Sequence, residues 1–102
     1  MSVLPGSVEQ IAAQSGTRIR MVDGQTAEGR AALEFLRDAD RAMRYLGFPD
    51  WEVALVECTG GIVGLAHAGG ETRAAIVTAK AGIPLGSVQR VTHRVRAELE
   101  EQ

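Results

Sequence analysis

Nucleophile, base or metal-ligand chemistry in this sequence would have to come from Cys58, His67, His93 and the carboxylates. Cys58 is the only cysteine, and neither a Lys nor a His neighbours it to hold a thiolate. It reads as a small hydrophobe, with the alternative that it approaches its twin in a dimer if it faces the partner. His67 falls at a strand end and His93 in a helix beside Arg94. No third ligand accompanies them, whereas zinc takes at least three protein ligands, so both read as solvated or hydrogen-bonded structural residues. Gly60-Gly61 and Gly69-Gly70 are glycine pairs. A phosphate cradle needs such glycines to run into a helix N-terminus, usually with a following Lys. Here each pair separates two apolar runs and reads as a tight turn. No Ser-His-Asp, Cys-His or paired-acid set can be assembled. The chain is therefore expected to be non-enzymatic, with no catalytic residue, cofactor or metal.

Composition sets the frame in which any other activity must work. The chain has 102 residues, enough for one domain over residues 1–102, and 45% are apolar, which argues against disorder. Aromatic residues make up 4%, and all four (Phe35, Tyr45, Phe48 and Trp51) lie in one short stretch. The core must then be aliphatic. The net charge of −2 argues against a general nucleic-acid or membrane-surface binder. A single cysteine allows no intrachain disulfide and fits a reducing compartment. Met1 to Ser7 lack the basic and apolar regions of a signal peptide. No apolar run approaches the roughly 20 residues needed to span a bilayer, so a cytoplasmic location is expected.

Ser7 and Gln10 have capping-box spacing, predicting a short helix over Val8–Gln14 that Gly16 ends. Thr17–Val22 alternates as a strand, and Asp23-Gly24 marks a turn. Ala27–Leu46 carries the strongest helical pattern, with Thr26 as its cap and Gly47 and Pro49 as its stop. Ala32, Phe35, Leu36, Ala39, Ala42, Met43 and Leu46 recur at helical spacing and predict one buried stripe. Asp40 and Arg44 are spaced to pair along it. Three short apolar runs follow, Glu52–Cys58, Ile62–Ala68 and Thr72–Ala79, split by glycine pairs. They predict an antiparallel meander. The alanines at 54, 66, 74 and 75 call for something packed close, most simply a helix on the sheet. A last helix over Leu85–Glu100 shows the stripe Leu85, Val88, Val91 or Thr92, Val95 and Leu99. Glu98, Glu100 and Glu101 crowd its C-terminal end, where the helix dipole disfavours them and fraying is expected. Phe48 and Trp51 either close the end of the core, the preferred reading, or stand as exposed contact anchors. The expected class is α+β: an antiparallel sheet of four or five strands, a long helix on one face and one or two helices on the other.

From Glu28 to Glu101 the order and spacing resemble the Roadblock (dynein light-chain) domain. The likeness is carried by Tyr45-Leu46-Gly47 ending the long helix, then Val53-Ala54-Leu55-Val56-Glu57, Gly60-Gly61 and Ile62-Val63-Gly64-Leu65. Ala74-Ala75-Ile76-Val77-Thr78 follows, and Pro84-Leu85-Gly86-Ser87-Val88 opens the last helix. The resemblance implies a homodimer in which two copies set their middle strands edge to edge and their long helices side by side. On this chain those are Glu52–Cys58 (Glu52, Val53, Ala54, Leu55, Val56, Glu57, Cys58) and Ala27–Leu46. It further implies a partner surface near the paired helices, for which Arg37, Asp38, Arg41, Arg44 and Tyr45 are the candidates, and a small Ras-like GTPase as a partner. One departure stands out. Gln25-Thr26 runs almost straight from the Asp23-Gly24 turn into the long helix, so the second strand of the family's opening hairpin is expected to be missing or cut.

Part of this expectation stands without the family. Glu52–Cys58 is mostly apolar on both faces, Val53 and Leu55 on one and Ala54 and Val56 on the other, and lacks the Lys, Pro or bulge that normally guards a free sheet edge. Arg37, Arg41 and Arg44, mixed with Asp38 and Asp40, read either as a solvated helix face or as part of an interface. Arg90, Arg94 and Arg96 read as the polar side of the last helix. The alternative function is a small-molecule-binding sensor with a pocket between sheet and helix, against which the scarcity of polar residues on the apolar stripes counts.

Overall fold

A computed structural model describes residues 4–100. Its elements are α1 (Gly6–Ser15), β1 (Arg18–Asp23), α2 (Ala27–Leu46), β2 (Ala54–Cys58), β3 (Gly61–His67), β4 (Arg73–Lys80) and α3 (Leu85–Glu100). The four strands form one antiparallel sheet in the order β1-β4-β3-β2. The meander is therefore β2-β3-β4, and β1 adds to its far side. Glu101 lies outside the described residues, as does Met1 with the two residues after it.

Alternation along the strands sends each apolar set to its own layer. Ile19, Met21, Leu55, Ile62, Ala75, Val77 and Ala79 meet α1 and α3 in the larger core, which includes Val8, Ile11, Val88, Val91, Val95 and Leu99. Val22, Val63, Leu65, Ala74 and Ile76 meet Ala32, Leu33 and Leu36 of α2 on the other face. Ala66, Ala74 and Ala75 are completely buried, as expected where helices press on the sheet. Leu85, counted in the α3 stripe from its spacing, is 42% exposed instead, because it sits in the first turn.

The N-terminal helix differs from the sequence expectation. It begins at Gly6, before Ser7, with Pro5 in the capping position and no side-chain cap. The Pro5 ring presets a helix-compatible φ of −56°. Its carbonyl accepts the N–H groups of Val8 and Glu9 at 3.0 and 3.1 Å. Ser7 is thereby drawn into the first turn, and the capping box does not form.

The link from β1 to α2 is short and specific. Asp23 Oδ1 accepts the N–H of Gln25 at 2.8 Å, and Thr26 Oγ1 accepts that of Gly29 at 3.0 Å. The chain turns directly into the helix, so among the described residues the sheet has four strands and no second hairpin strand. This turn brings the first coil of α2 against the end of β1. A Cβ on Gly29 would fall 1.6 Å from the Asp23 carbonyl oxygen. Because the obstacle is backbone, Gly29→Ala should lower stability by about 1–3 kcal/mol. Gly24→Ala, with nothing within 4 Å of the added carbon, should stay within about 0.5 kcal/mol of the parent. Urea unfolding of both variants checks this.

Candidate protein-protein interface

Among the described residues β2 lies at the border of the sheet, with β3 on one side only. Its register, Ala54↔Leu65, Val56↔Val63 and Cys58↔Gly61, puts Ala54 and Val56 on the face that carries α2. Leu55 and Glu57 take the α3 face, where Leu55 packs against the larger core. The strand starts two residues later than expected, so Glu52 and Val53 lie outside it. Side-chain anchors draw that approach off the ladder. The Trp51 indole N–H donates to Asp40 Oδ1 at 2.9 Å, toward α2. The Glu52 carboxylate turns to α3, 3.1 Å from His93 Nδ1 and 3.7 Å from an Arg96 guanidinium nitrogen.

The two sheet edges differ in kind. β1 carries Arg18 and Arg20, and Arg20 is ion-paired with Glu28. Charge on an edge discourages a second strand from pairing there. β2 offers Ala54, Leu55, Val56 and Cys58, with Glu57 as its one charge. Cys58 is exposed rather than buried as a hydrophobe, its thiol 3.9 Å from the Val56 carbonyl.

The long helix is only half engaged by its own sheet. Gly29, Ala32 and Leu36 are buried, and no residue from 37 to 46 is. The expected single buried stripe is thus corrected: Phe35 is 41% exposed, Leu46 68%, and Ala42 is exposed too. At about 100° per residue, Ala31, Phe35, Ala42 and Leu46 share a flank beside the buried face. The opposite flank, with Leu33, Asp40 and Arg44, faces Trp51 and His67. The apolar flank therefore looks over the other half of the sheet face, where Val56 is 37% exposed and Val63 half-buried. Phe48 is 65% exposed and belongs with this surface, whereas Trp51 packs into the smaller core. The two aromatics of the 47–51 loop thus take the two roles the sequence left open between them. Spacing alone missed the open flank because seven apolar positions span a wider arc than a flat sheet can cover.

The candidate partner residues on α2 divide. Asp38, Arg41 and Tyr45 are exposed, Tyr45 at 88%, with their side chains pointing away from the sheet. Arg37 and Arg44 line a cleft of about 200 Å³ with Asp40, Trp51, Glu52 and His67. Arg44 Nε donates to Asp40 Oδ2 at 2.9 Å, as the spacing predicted. His93 has the polar partner expected of it, but His67 Nδ1 is buried without one among the described residues. The cleft lies at the rim of sheet and helix, and part of its charged lining already pairs, Asp40 with Arg44 and Glu52 with Arg96. Arg90 and Arg94 are exposed, and Arg96 bonds Glu52 and Glu100. Among the described residues no helix is long and apolar enough to cross a membrane.

The Arg44 guanidinium first, and the Trp51 indole N–H second, hold the Asp40 carboxyl below its usual range. A carboxyl depressed on folding contributes fully above its unfolded value of about 3.9 and loses that contribution as pH falls through the folded value. The fluorescence of Trp51, the only tryptophan, should therefore change in acid with a midpoint below about 3.9. Asp40→Ala should lack that transition.

No family model matches the chain, and no curated protein does. Among solved structures it is similar to the gliding protein MglB from Thermus thermophilus. The superposition has a TM-score of 0.55 at 15% identity and covers 98% of this chain and 96% of that one. At such identity the likeness is one of fold: the α+β arrangement built here from four strands and three helices is shared, nearly end to end, with the gliding protein.

Proposed function

We propose that this chain is a non-enzymatic homodimeric adaptor whose paired surface docks a partner protein, with a small Ras-like GTPase as the partner class. The observation that carries the reading is one continuous surface: the free edge of β2, Val56 beside it, and the apolar flank of α2 above it. Every strand edge presents a row of backbone donors and acceptors open to another strand. Among the described residues, only the β2 edge combines that row with an exposed aliphatic and aromatic border. A second copy satisfies both at once, joining two sheets into one and covering Phe35 and Leu46 with their counterparts. A specific interface of this kind buries about 1,200–2,000 Å².

The GTPase class rests on the Roadblock resemblance in the sequence and on the fold shared with a gliding protein. Pairing through the apolar flank leaves Asp38, Arg41 and Tyr45 exposed, with Arg37 and Arg44 beside them. Arginine and tyrosine are the residue types that most often anchor protein interfaces. The cytoplasm is the compartment in which such a partner would be met.

Sedimentation equilibrium at micromolar concentration should return twice the chain mass of 10.8 kDa. Val56→Lys, which guards the edge, and Leu46→Glu, which charges the flank, should each weaken the dimer at least tenfold, about 1.4 kcal/mol. A monomer at high micromolar concentration would overturn the reading. Arg41→Glu should leave the dimer mass unchanged and weaken binding to a Ras-like GTPase from the same genome. Equal binding by parent and variant would remove that surface from the proposal.

A further inference from the structure

We infer that two copies pair their β2 strands in a single register, with Val56 on the two-fold axis opposite its own counterpart. This rests on self-association through β2 and adds the one geometry that the strand permits. Residues directly opposed across an antiparallel ladder point to the same face. If both α2 helices lie on one face of the joined sheet, where their apolar flanks can meet, Ala54, Val56 and Cys58 must oppose one another's class. Leu55 and Glu57 must likewise oppose one another's class. The axis then passes through a residue, never between two.

Few centres remain, and their side chains separate them. An axis at Glu57 sets like charges directly opposite, which destabilises a ladder. An axis at Cys58 adds to the ladder Thr59 and Gly60, which form the β2-β3 turn. An axis at Ala54 or Leu55 pairs at most three strand residues with one another and draws in Val53 and Glu52, which the Trp51 and Glu52 anchors hold off the ladder. An axis at Val56 pairs all five strand residues, 54 with 58, 55 with 57 and 56 with itself. It lays Glu57 beside Leu55 instead of beside another carboxylate. It also centres the exposed Val56 pair beneath the apolar flanks of the two long helices. Val56 is thus the register-determining residue and Glu57 the one that excludes the neighbouring register.

The geometry has a direct consequence for cysteine chemistry. Opposed residues in antiparallel strands have Cα atoms about 4.5–5.5 Å apart, inside the range a disulfide spans. With the axis at Val56, the two Leu55 positions are offset by two residues, about 7 Å along the strand, and so fall outside that range. The two Cys58 positions are offset by four residues, about 14 Å. The native thiols, though exposed at the interface, do not meet.

Disulfide trapping reads the register. Full-length protein carrying Cys58→Ser is combined with Val56→Cys or with Leu55→Cys. These two and the native chain are oxidised with copper-phenanthroline and resolved without reductant. The mass of each under reducing conditions is measured in parallel. Val56→Cys should cross-link nearly completely to a double-mass species, while Leu55→Cys and native Cys58 remain single chains. Efficient cross-linking through Leu55→Cys or native Cys58, or a reduced dimer that Val56→Cys fails to trap, overturns the register and leaves self-association standing. A single-chain mass for the reduced native protein removes self-association and the register together.

Discussion

The free edge of β2 is the constraint around which the rest of the molecule is arranged. A backbone N–H or C=O that leaves water must find a partner, and half of those on β2 point away from β3, the strand's only neighbour among the described residues. Water satisfies them in a single chain. Once the apolar border beside them is covered, a strand must satisfy them instead, and the two events are coupled. This coupling separates β2 from β1. The β1 edge offers backbone groups as well, but its Arg18 stays in water and its Arg20–Glu28 pair closes one side.

Helix length enforces the same conclusion from above the sheet. A helix of 20 residues, as α2 is, spans about 30 Å. Four strands at about 4.8 Å spacing measure about 14 Å between outer axes. α2 packs over β1, β4 and β3, and its second half has no buried residue. It nonetheless keeps an apolar flank to the end at Leu46. The short β1-α2 link, with its Asp23 turn and Thr26 cap, fixes where the helix begins. Gly29 lets it start hard against β1. The overhang is therefore a consequence of a fixed start and a fixed length.

Much of this was legible in the residues. Thr26 and Gly47 bounded α2, glycine pairs bounded the meander strands, and the short Gln25-Thr26 link pointed to a missing or cut hairpin strand within an expected four or five. The mid-chain apolar run was recognisable as an unguarded edge because Val53 to Val56 is aliphatic on both faces and no Lys or Pro interrupts it. Three things escaped. Pro5, not Ser7, starts α1, because a fixed ring torsion outweighs a hydroxyl placed at capping spacing. The strand starts at Ala54, because the pull of Asp40 on Trp51 and of His93 on Glu52 acts between elements far apart in sequence. The stripe on α2 has the right period, but period records which side is apolar and not what covers it. Phe35 and Leu46 look like core residues until the sheet beneath them runs out.

Amide hydrogen exchange along β2 tests the central claim most directly. Backbone amides of residues 54–58 that face β3 should be protected at every protein concentration. Those that face outward should gain protection as concentration rises through the association range, in step with the mass of the particle. Outward amides that exchange freely while the particle has double mass would show that the copies meet elsewhere, and the role assigned to this edge would be wrong.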